Sequence, residues 1–158
     1  MNAQYVEFAR RGRRALAPAI VLLFVPVAAQ SADVPAPDQQ EIMIKSSLMT
    51  FNDANLTGNY DVLQASMAKP FRDQYSADKL KEIFKQFADQ KVSIRPVVIG
   101  KPVMTDEAKV DDRGALLLHG YFDVAQNYRV TFSLDYAMSE GEWKPITIIV
   151  KVGEPGAP

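Results

Sequence analysis

The strongest constraint on the fold of this chain is an alternation of apolar and polar residues from Tyr128 to Met138. Successive side chains of a β-strand point to opposite faces, so a period of two predicts a strand with one buried face. The turn sequence SEGE follows at residues 139–142 and leads into WKPITIIVKV, which predicts a β-hairpin. The predicted buried face carries Tyr128, Val130, Phe132, Leu134, Tyr136 and Met138, and the other face carries Arg129, Thr131, Ser133 and Asp135.

Three further segments upstream of this hairpin are predicted to form strands. The sequence ALLLHGYFDV, Ala115–Val124, is dense enough in apolar residues to be a central strand. Its internal Gly120 indicates a bulge or a close approach of another backbone. The β-branched segment Val92–Gly100 predicts a strand that Pro96 restricts to an edge or a bulge. Pro102–Asp112 predicts a short strand that leads to a turn at residues 112–114.

Helices are predicted before the strands. The first helix runs from about Gln40 to Asn55 and stops at Gly58; the second covers Asp61–Met67 and is followed by Pro70; the third begins after a Ser76 cap. Their helical spacing predicts inward-facing side chains at Ile44, Leu48, Met49, Phe51 and Leu56, and at Leu80, Ile83, Phe84 and Phe87. We therefore predict an α+β domain with three N-terminal helices packed on a curved, mostly antiparallel sheet of four to five strands.

Residues 1–29 have the layout of a secretory signal peptide. Arginines at positions 10, 11, 13 and 14 precede the apolar run Ala15–Ala29, which is short for a membrane span and contains Pro26. Small residues before position 30 predict cleavage after Ala29, which makes the chain periplasmic or secreted, without a stable membrane span. A retained N-terminal anchor is the alternative, and the RR pairs leave Sec and twin-arginine export both open. Beyond the signal we predict a flexible tether at residues 30–40, one domain at 41–152 and a loose tail at 153–158.

Charge and cysteine content exclude several classes of function. The first 29 residues hold four Arg and one Glu, so the rest of the chain has 14 basic and 18 acidic residues and a net charge of −4. A mildly acidic domain without a basic cluster does not predict binding to nucleic acid. The chain has no Cys, which excludes disulfides, thiol chemistry and cysteine-ligated metal sites.

The order of elements resembles a known superfamily. Helices followed by an antiparallel meander that ends in Gly141-Glu142-Trp143-Lys144 resemble the nuclear transport factor 2-like superfamily, which includes ketosteroid isomerases and SnoaL-like cyclases and is also described as cystatin-like. The segment Phe51–Phe87 resembles small exported bacterial domains of unknown function. The resemblance spans roughly residues 40–152 and implies a cone-shaped fold, which hosts catalysts and non-catalysts alike.

Catalytic members of this superfamily use a carboxylate base or a His-Asp pair inside the cone. The candidate bases here are His119, the only histidine, with Tyr121 and Asp123 nearby in sequence, and Asp135, which alternation places on the solvated or dimer face. A histidine without an identified partner is more typical of a surface or interface position. The apolar pattern of the strand does not decide whether the face that carries His119 points into the cone or away from it. The residues expected to line the interior are Tyr60, Tyr128, Phe132 and Tyr136.

No cofactor or metal is predicted. The chain contains no Gly-rich phosphate loop, no HExxH and no Gly-x-Ser-x-Gly motif. The acidic pairs Asp106-Glu107 and Asp111-Asp112 lack the ligand spacing of a calcium loop and indicate solvated loop charge.

Two classes of function follow from these observations. The first is a non-catalytic periplasmic module that binds a small apolar ligand or a periplasmic protein and forms a homodimer through Arg129, Thr131, Ser133 and Asp135. The second is an isomerase, dehydratase or cyclase that acts on a small hydrophobic substrate with His119 or Asp135 as base. We favour the first class, and a roomy apolar pocket that contains a carboxylate or an imidazole would favour the second.

Overall fold

The computed structural model of the chain describes residues 33–125 and 128–154. The predicted signal peptide, the first three residues of the predicted tether and the last four residues of the predicted tail lie outside the described residues. Within them, a helical N-terminal half precedes a C-terminal half of antiparallel strands. The α+β class predicted from the sequence is confirmed.

Helix α1, Pro37–Thr57, begins three residues earlier than predicted, so residues 37–40 form its first turn rather than part of a tether. Proline is favoured at this position because the first N–H groups of a helix have no intrahelical acceptor. The helix ends as predicted at Gly58, whose φ of 71° is left-handed and whose N–H donates to the carbonyl of Ala54 at 2.8 Å.

Two helices were predicted between residues 61 and 87, and the structure has four short ones. They are α2 (Asp61–Ser66), α3 (Lys69–Arg72), α4 (Ala77–Ile83) and α5 (Lys85–Asp89). Pro70 does not end a helix but lies in the first turn of α3, where its missing N–H is tolerated. Ser76 caps α4 as predicted, since its hydroxyl accepts a hydrogen bond from the Lys79 N–H at 3.2 Å. The predicted third helix is interrupted at Phe84, which separates α4 from α5.

The prediction of a strand at Val92–Gly100 is wrong, because residues Arg95–Val98 form a 3₁₀-helix. Ile94 and Val97 are fully buried whereas Ile99 is 92% exposed, so burial follows a spacing of three residues rather than two. The N–H of Ile94 donates to Asn52 Oδ1 of α1 at 2.9 Å, which fixes the start of this turn against the helical layer.

The five strands of the described sheet pair only antiparallel. They are β1 (Val103–Met104), β2 (Lys109–Val110), β3 (Ala115–Ala125), β4 (Tyr128–Ser139) and β5 (Glu142–Gly153). The order is β1-β3-β4-β5, and β2 also pairs with β3, so β3 is internal as predicted. The predicted close approach at Gly120 is confirmed, because a Cβ there would collide with the backbone of Val103 and Met104.

One face of the sheet packs on the helices and contains the core. On β4 this face holds Val130, Phe132, Leu134 and Tyr136, each at most 1% exposed. On β3 it holds Leu116, Leu118 and Phe122, all fully buried, and α1 contributes Ile44, Leu48 and Phe51. The face opposite the helices is called the outer face below.

Three predicted core residues are exposed. Leu56 is 43%, Ile83 49% and Met138 47% exposed. Each lies near the end of its helix or strand, where the facing layer no longer covers it. The periodicity of an element predicts the direction of a side chain, but burial also needs a partner opposite it.

The β4–β5 hairpin is attached to the helical layer through α3. The Lys69 N–H donates to Ser139 Oγ at 3.1 Å, and the Ala68 N–H donates to the carbonyl of Pro145 at 2.9 Å. None of the described helices is long and apolar enough to cross a membrane.

Candidate functional site

An apolar pocket of about 230 Å³ lies between α2, α3, α4 and strand β5. An engineered apolar cavity of about 150 Å³ is large enough to hold benzene, so this pocket has room for a somewhat larger group. Its lining consists of Leu63, Met67, Phe71, Tyr75, Leu80, Ile83, Phe84, Ile146, Thr147 and Ile148.

Short helices and hydrogen bonds from one side chain, that of Gln64, position these residues. The rings of Phe71 and Tyr75 stack with centroids 4.5 Å apart. Gln64 of α2 donates to the carbonyls of Arg72 and Tyr75 at 3.2 and 3.3 Å, which ties the α3–α4 connection to α2. Phe71 and Tyr75 are half-buried and Ile83 is exposed, so the pocket opens to solvent on this side.

A second, wider pocket of about 420 Å³ adjoins the first along β5. The two pockets share Ile83, Phe84 and Ile148. The rest of the second lining comes from Phe51, Gln86, Phe87, Gln90, Ile149 and Val150. We call the two adjoining pockets together the β5 groove.

The β5 groove lacks the groups that most often serve as general acids and bases. Neither lining contains a carboxylate, an imidazole or an amine, and the Tyr75 phenol is its only titratable group. General acid-base catalysis most often uses a histidine, a carboxylate or a lysine within hydrogen-bond reach of the substrate. The groove therefore has the chemistry of an apolar binding site.

The four residues predicted to line an interior cavity do not line this groove. Tyr60, Phe132 and Tyr136 are at most 2% exposed and belong to the packed core. Tyr60 donates to Asn55 Oδ1 at 2.8 Å, and burial raises the pKa of the Tyr60 phenol. Tyr128 is half-buried, and its hydroxyl donates to the carbonyl of Ser93 at 3.2 Å.

Tyr136 is held by two partners from α1. Its hydroxyl lies 2.9 Å from Ser47 Oγ and donates to the carbonyl of Met43 at 3.1 Å. Burial raises the pKa of Tyr136, and the hydrogen bond with Ser47 only partly opposes this shift. Such an arrangement satisfies a buried hydroxyl and keeps it neutral.

His119 lies on the outer face, away from the β5 groove. It is directly opposite Ser133 on β4, and its Nε2 is 3.1 Å from Asp135 Oδ1. Its Nδ1 is 3.8 Å from Asp106 Oδ2. The structure thus brings the two candidate bases together as a His-Asp pair, but on the face of the sheet opposite the helices. Asp106 was interpreted only as loop charge, since its proximity depends on the β1–β2 connection folding over β3.

Asp123 and Tyr121, which the sequence suggested as partners of His119, contact Arg129 instead. Arg129 donates from Nε and Nη2 to the two carboxylate oxygens of Asp123 at 2.7 and 2.9 Å. Its guanidinium carbon lies 3.7 Å from the centroid of the Tyr121 ring. These hydrogen bonds hold the pKa of Asp123 below its usual value.

The four predicted interface residues share the outer face. Arg129, Thr131, Ser133 and Asp135 alternate with the core residues of β4 and are all half-buried. Exposed apolar side chains lie beside them, with Val103 opposite Tyr121 and Ile149 opposite Ser133. Among the described residues, no group of three or more His, Asp or Glu side chains is arranged to hold a metal ion.

Comparisons with known proteins identified no relative of this chain. No family model matches the chain, and searches of curated proteins and of solved structures found no match. The resemblance to the nuclear transport factor 2-like superfamily therefore stays a prediction.

Proposed function

We propose that this chain is a non-catalytic binding module that receives an apolar group in the β5 groove. The observation that carries the proposal is the separation of cavity and catalytic candidates: the groove is apolar, while His119 and Asp135 lie on the opposite face of the sheet. An isomerase, dehydratase or cyclase would need one of these groups beside its substrate. Because residues 1–29 have the layout of a signal peptide, we further propose that the module acts in the periplasm or outside the cell.

A neutral fluorescent probe tests the binding function. We expect N-phenyl-1-naphthylamine to bind the chain purified from the periplasm, because the linings of the groove carry no charge. Ile83→Asp should abolish the fluorescence increase, since Ile83 borders both pockets and is exposed enough to be replaced without loss of the core. Val62→Asp is the matched control, because Val62 is 70% exposed on α2 and lines neither pocket.

Two results would count against this proposal. Binding of the probe that survives Ile83→Asp would place the site elsewhere on the molecule. A loss of probe binding in His119→Ala would link the outer face to the ligand and reopen the enzymatic alternative.

We propose homodimerisation through the outer face as a second property. The observation that favours it is the exposure of Val103 and Ile149 beside half-buried polar residues. A twofold contact uses the same residues twice, so Thr131→Arg would introduce two unpaired charges into it. Sedimentation should show a dimer for the native chain and a monomer for the variant, and a native chain that is monomeric at high concentration would rule the contact out.

A further inference from the structure

Strand β5 has an unpaired edge next to the groove. It pairs with β4 on one side, and no other strand of the described residues pairs with its far side. The helical layer reaches this far edge at Pro145, whose carbonyl accepts from the Ala68 N–H at 2.9 Å. Among the hydrogen bonds of the described residues outside the sheet itself, none involves the backbone of residues 146–153. Unpaired backbone groups along a strand are a template for another extended chain.

The β5 groove lies along this same edge. Its two pockets follow each other beside Ile148, which they share, and continue to Val150 in one direction and Ile146 in the other. A chain added to β5 would point every second side chain to the helix side of the sheet, where the pockets are. A small apolar molecule could fill one pocket but would leave the backbone groups of the edge unpaired.

The linings of the two pockets set a requirement for the partner. They contain no charged residue. At the ends of the unpaired stretch, Lys144 and Lys151 each have an exposed acidic residue close by in the chain, Glu142 and Glu154, so neither end has a clear net charge. The site therefore complements an extended segment with apolar side chains at alternate positions.

We propose that the β5 groove binds an extended peptide segment of a partner protein by strand addition to β5. The segment has apolar side chains at alternate positions. This inference rests on the proposed binding function and specifies the chemical class of the partner. Main-chain hydrogen bonds to β5 supply affinity, and the two pockets select the side chains.

Peptide titration against the chain purified from the periplasm tests the proposal. The probe is a blocked peptide of sequence EVTVTVE, titrated by calorimetry at low salt. Two further forms carry backbone N-methyl groups, one on the even-numbered and one on the odd-numbered residues. Only one set of N–H groups faces β5 in a given register, so we expect one form to lose at least tenfold in affinity and the other to keep most of it.

Variants locate the bound peptide on the chain. Ile83→Asp should reduce the affinity for EVTVTVE at least tenfold, and Val62→Asp should leave it unchanged.

Equal affinity of both methylated forms would show that side chains alone bind and would overturn strand addition. Binding of N-phenyl-1-naphthylamine without binding of any peptide would overturn the peptide proposal and keep the binding module, whereas binding of neither would overturn both. A dimer that Ile83→Asp dissociates, together with no peptide binding, would show that a second copy occupies the edge and would also overturn the proposal.

Discussion

The two faces of β4 show how one strand divides stability from surface chemistry. On the helix side, Phe132 and Tyr136 are 1% exposed, and every buried side-chain nitrogen or oxygen of the described residues has a hydrogen-bond partner. On the outer side, Arg129 forms an ion pair with Asp123 of β3, Asp135 Oδ1 lies 3.1 Å from His119 Nε2, also of β3, and these side chains remain partly exposed. Partly exposed ion pairs contribute little to stability, whereas buried aromatic side chains contribute several kcal/mol. The two faces therefore differ in their contribution to the free energy of unfolding as well as in composition.

This difference bears directly on function. The two candidate bases, His119 and Asp135, lie on the outer face, and the apolar β5 groove lies on the helix side at the edge of the sheet. A pocket enzyme needs both in one place. Their separation supports the binding proposal, and substitutions on each face can break or sharpen the contrast.

The largest effect is expected from truncating the core aromatic of β4. Phe132→Ala should lower the free energy of unfolding by about 3–5 kcal/mol, because it leaves a cavity beside Phe122, whose ring centroid is 5.6 Å away. Thr131→Ala, the adjacent residue on the outer face, should change it by less than about 0.5 kcal/mol. Urea denaturation measures both, and similar losses would remove the distinction between the faces.

A smaller loss is expected at Gly120 of β3. Gly120→Ala should cost about 1–3 kcal/mol, because the added methyl group would overlap the Val103 carbonyl and come within 3.0 Å of the Phe132 ring. Gly153→Ala is the matched control, since a Cβ at Gly153 meets nothing within 4 Å. A Gly120→Ala protein as stable as the native chain would mean that β1 moves away from β3 without cost.

Tyr136→Phe should cost about 1 kcal/mol at neutral pH, since Ser47 and the Met43 carbonyl lose a partner. The pKa of Tyr136 is raised in the folded chain, so the unfolded chain loses this proton first as the pH rises. Native stability contributed by Tyr136 is therefore complete below about pH 10 and falls by about 1.4 kcal/mol for each pH unit above it. Urea denaturation from about pH 9 to about pH 11 should show a shallower decline for the variant, and parallel declines would contradict the buried, neutral phenol.

The smallest effect is expected at His119. His119→Ala should change the free energy of unfolding by less than about 0.5 kcal/mol, because the His119–Asp135 pair is solvent-accessible. Binding of apolar probes to the β5 groove should stay unchanged. A large loss of stability or binding would show that the outer face communicates with the groove.

The elements with strong local signals were predictable from the sequence. The period-two pattern of β4, the SEGE turn, the Ser76 cap and the Gly58 stop all depend on neighbours in the chain, and the structure agrees with each of them. The strand prediction for residues 92–100 was wrong because a β-branched composition is also compatible with a 3₁₀ turn. The hydrogen bond from the Ile94 N–H to Asn52 of α1 favours the turn over the strand.

The candidate site was less predictable than the fold. Alternation placed Asp135 on the outer face, but which face His119 occupies depended on where the helices pack. The β5 groove has no sequence signature, because its walls come from α1, the four short helices and the last strand. Ile83 illustrates the limit: its helical spacing resembles that of a core residue, and only the open edge beside it leaves it exposed.

The attachment of α3 to the β4–β5 hairpin has a consequence for the order of biosynthesis. The helical segment is complete at Asp89, yet the acceptors for the N–H groups of Lys69 and Ala68 are Ser139 and Pro145. A growing chain therefore carries its apolar helices without their sheet until the final hairpin has emerged, and such exposed surfaces are prone to aggregate. A helper that shields the unfinished chain, or export of the chain before it folds, would meet that need.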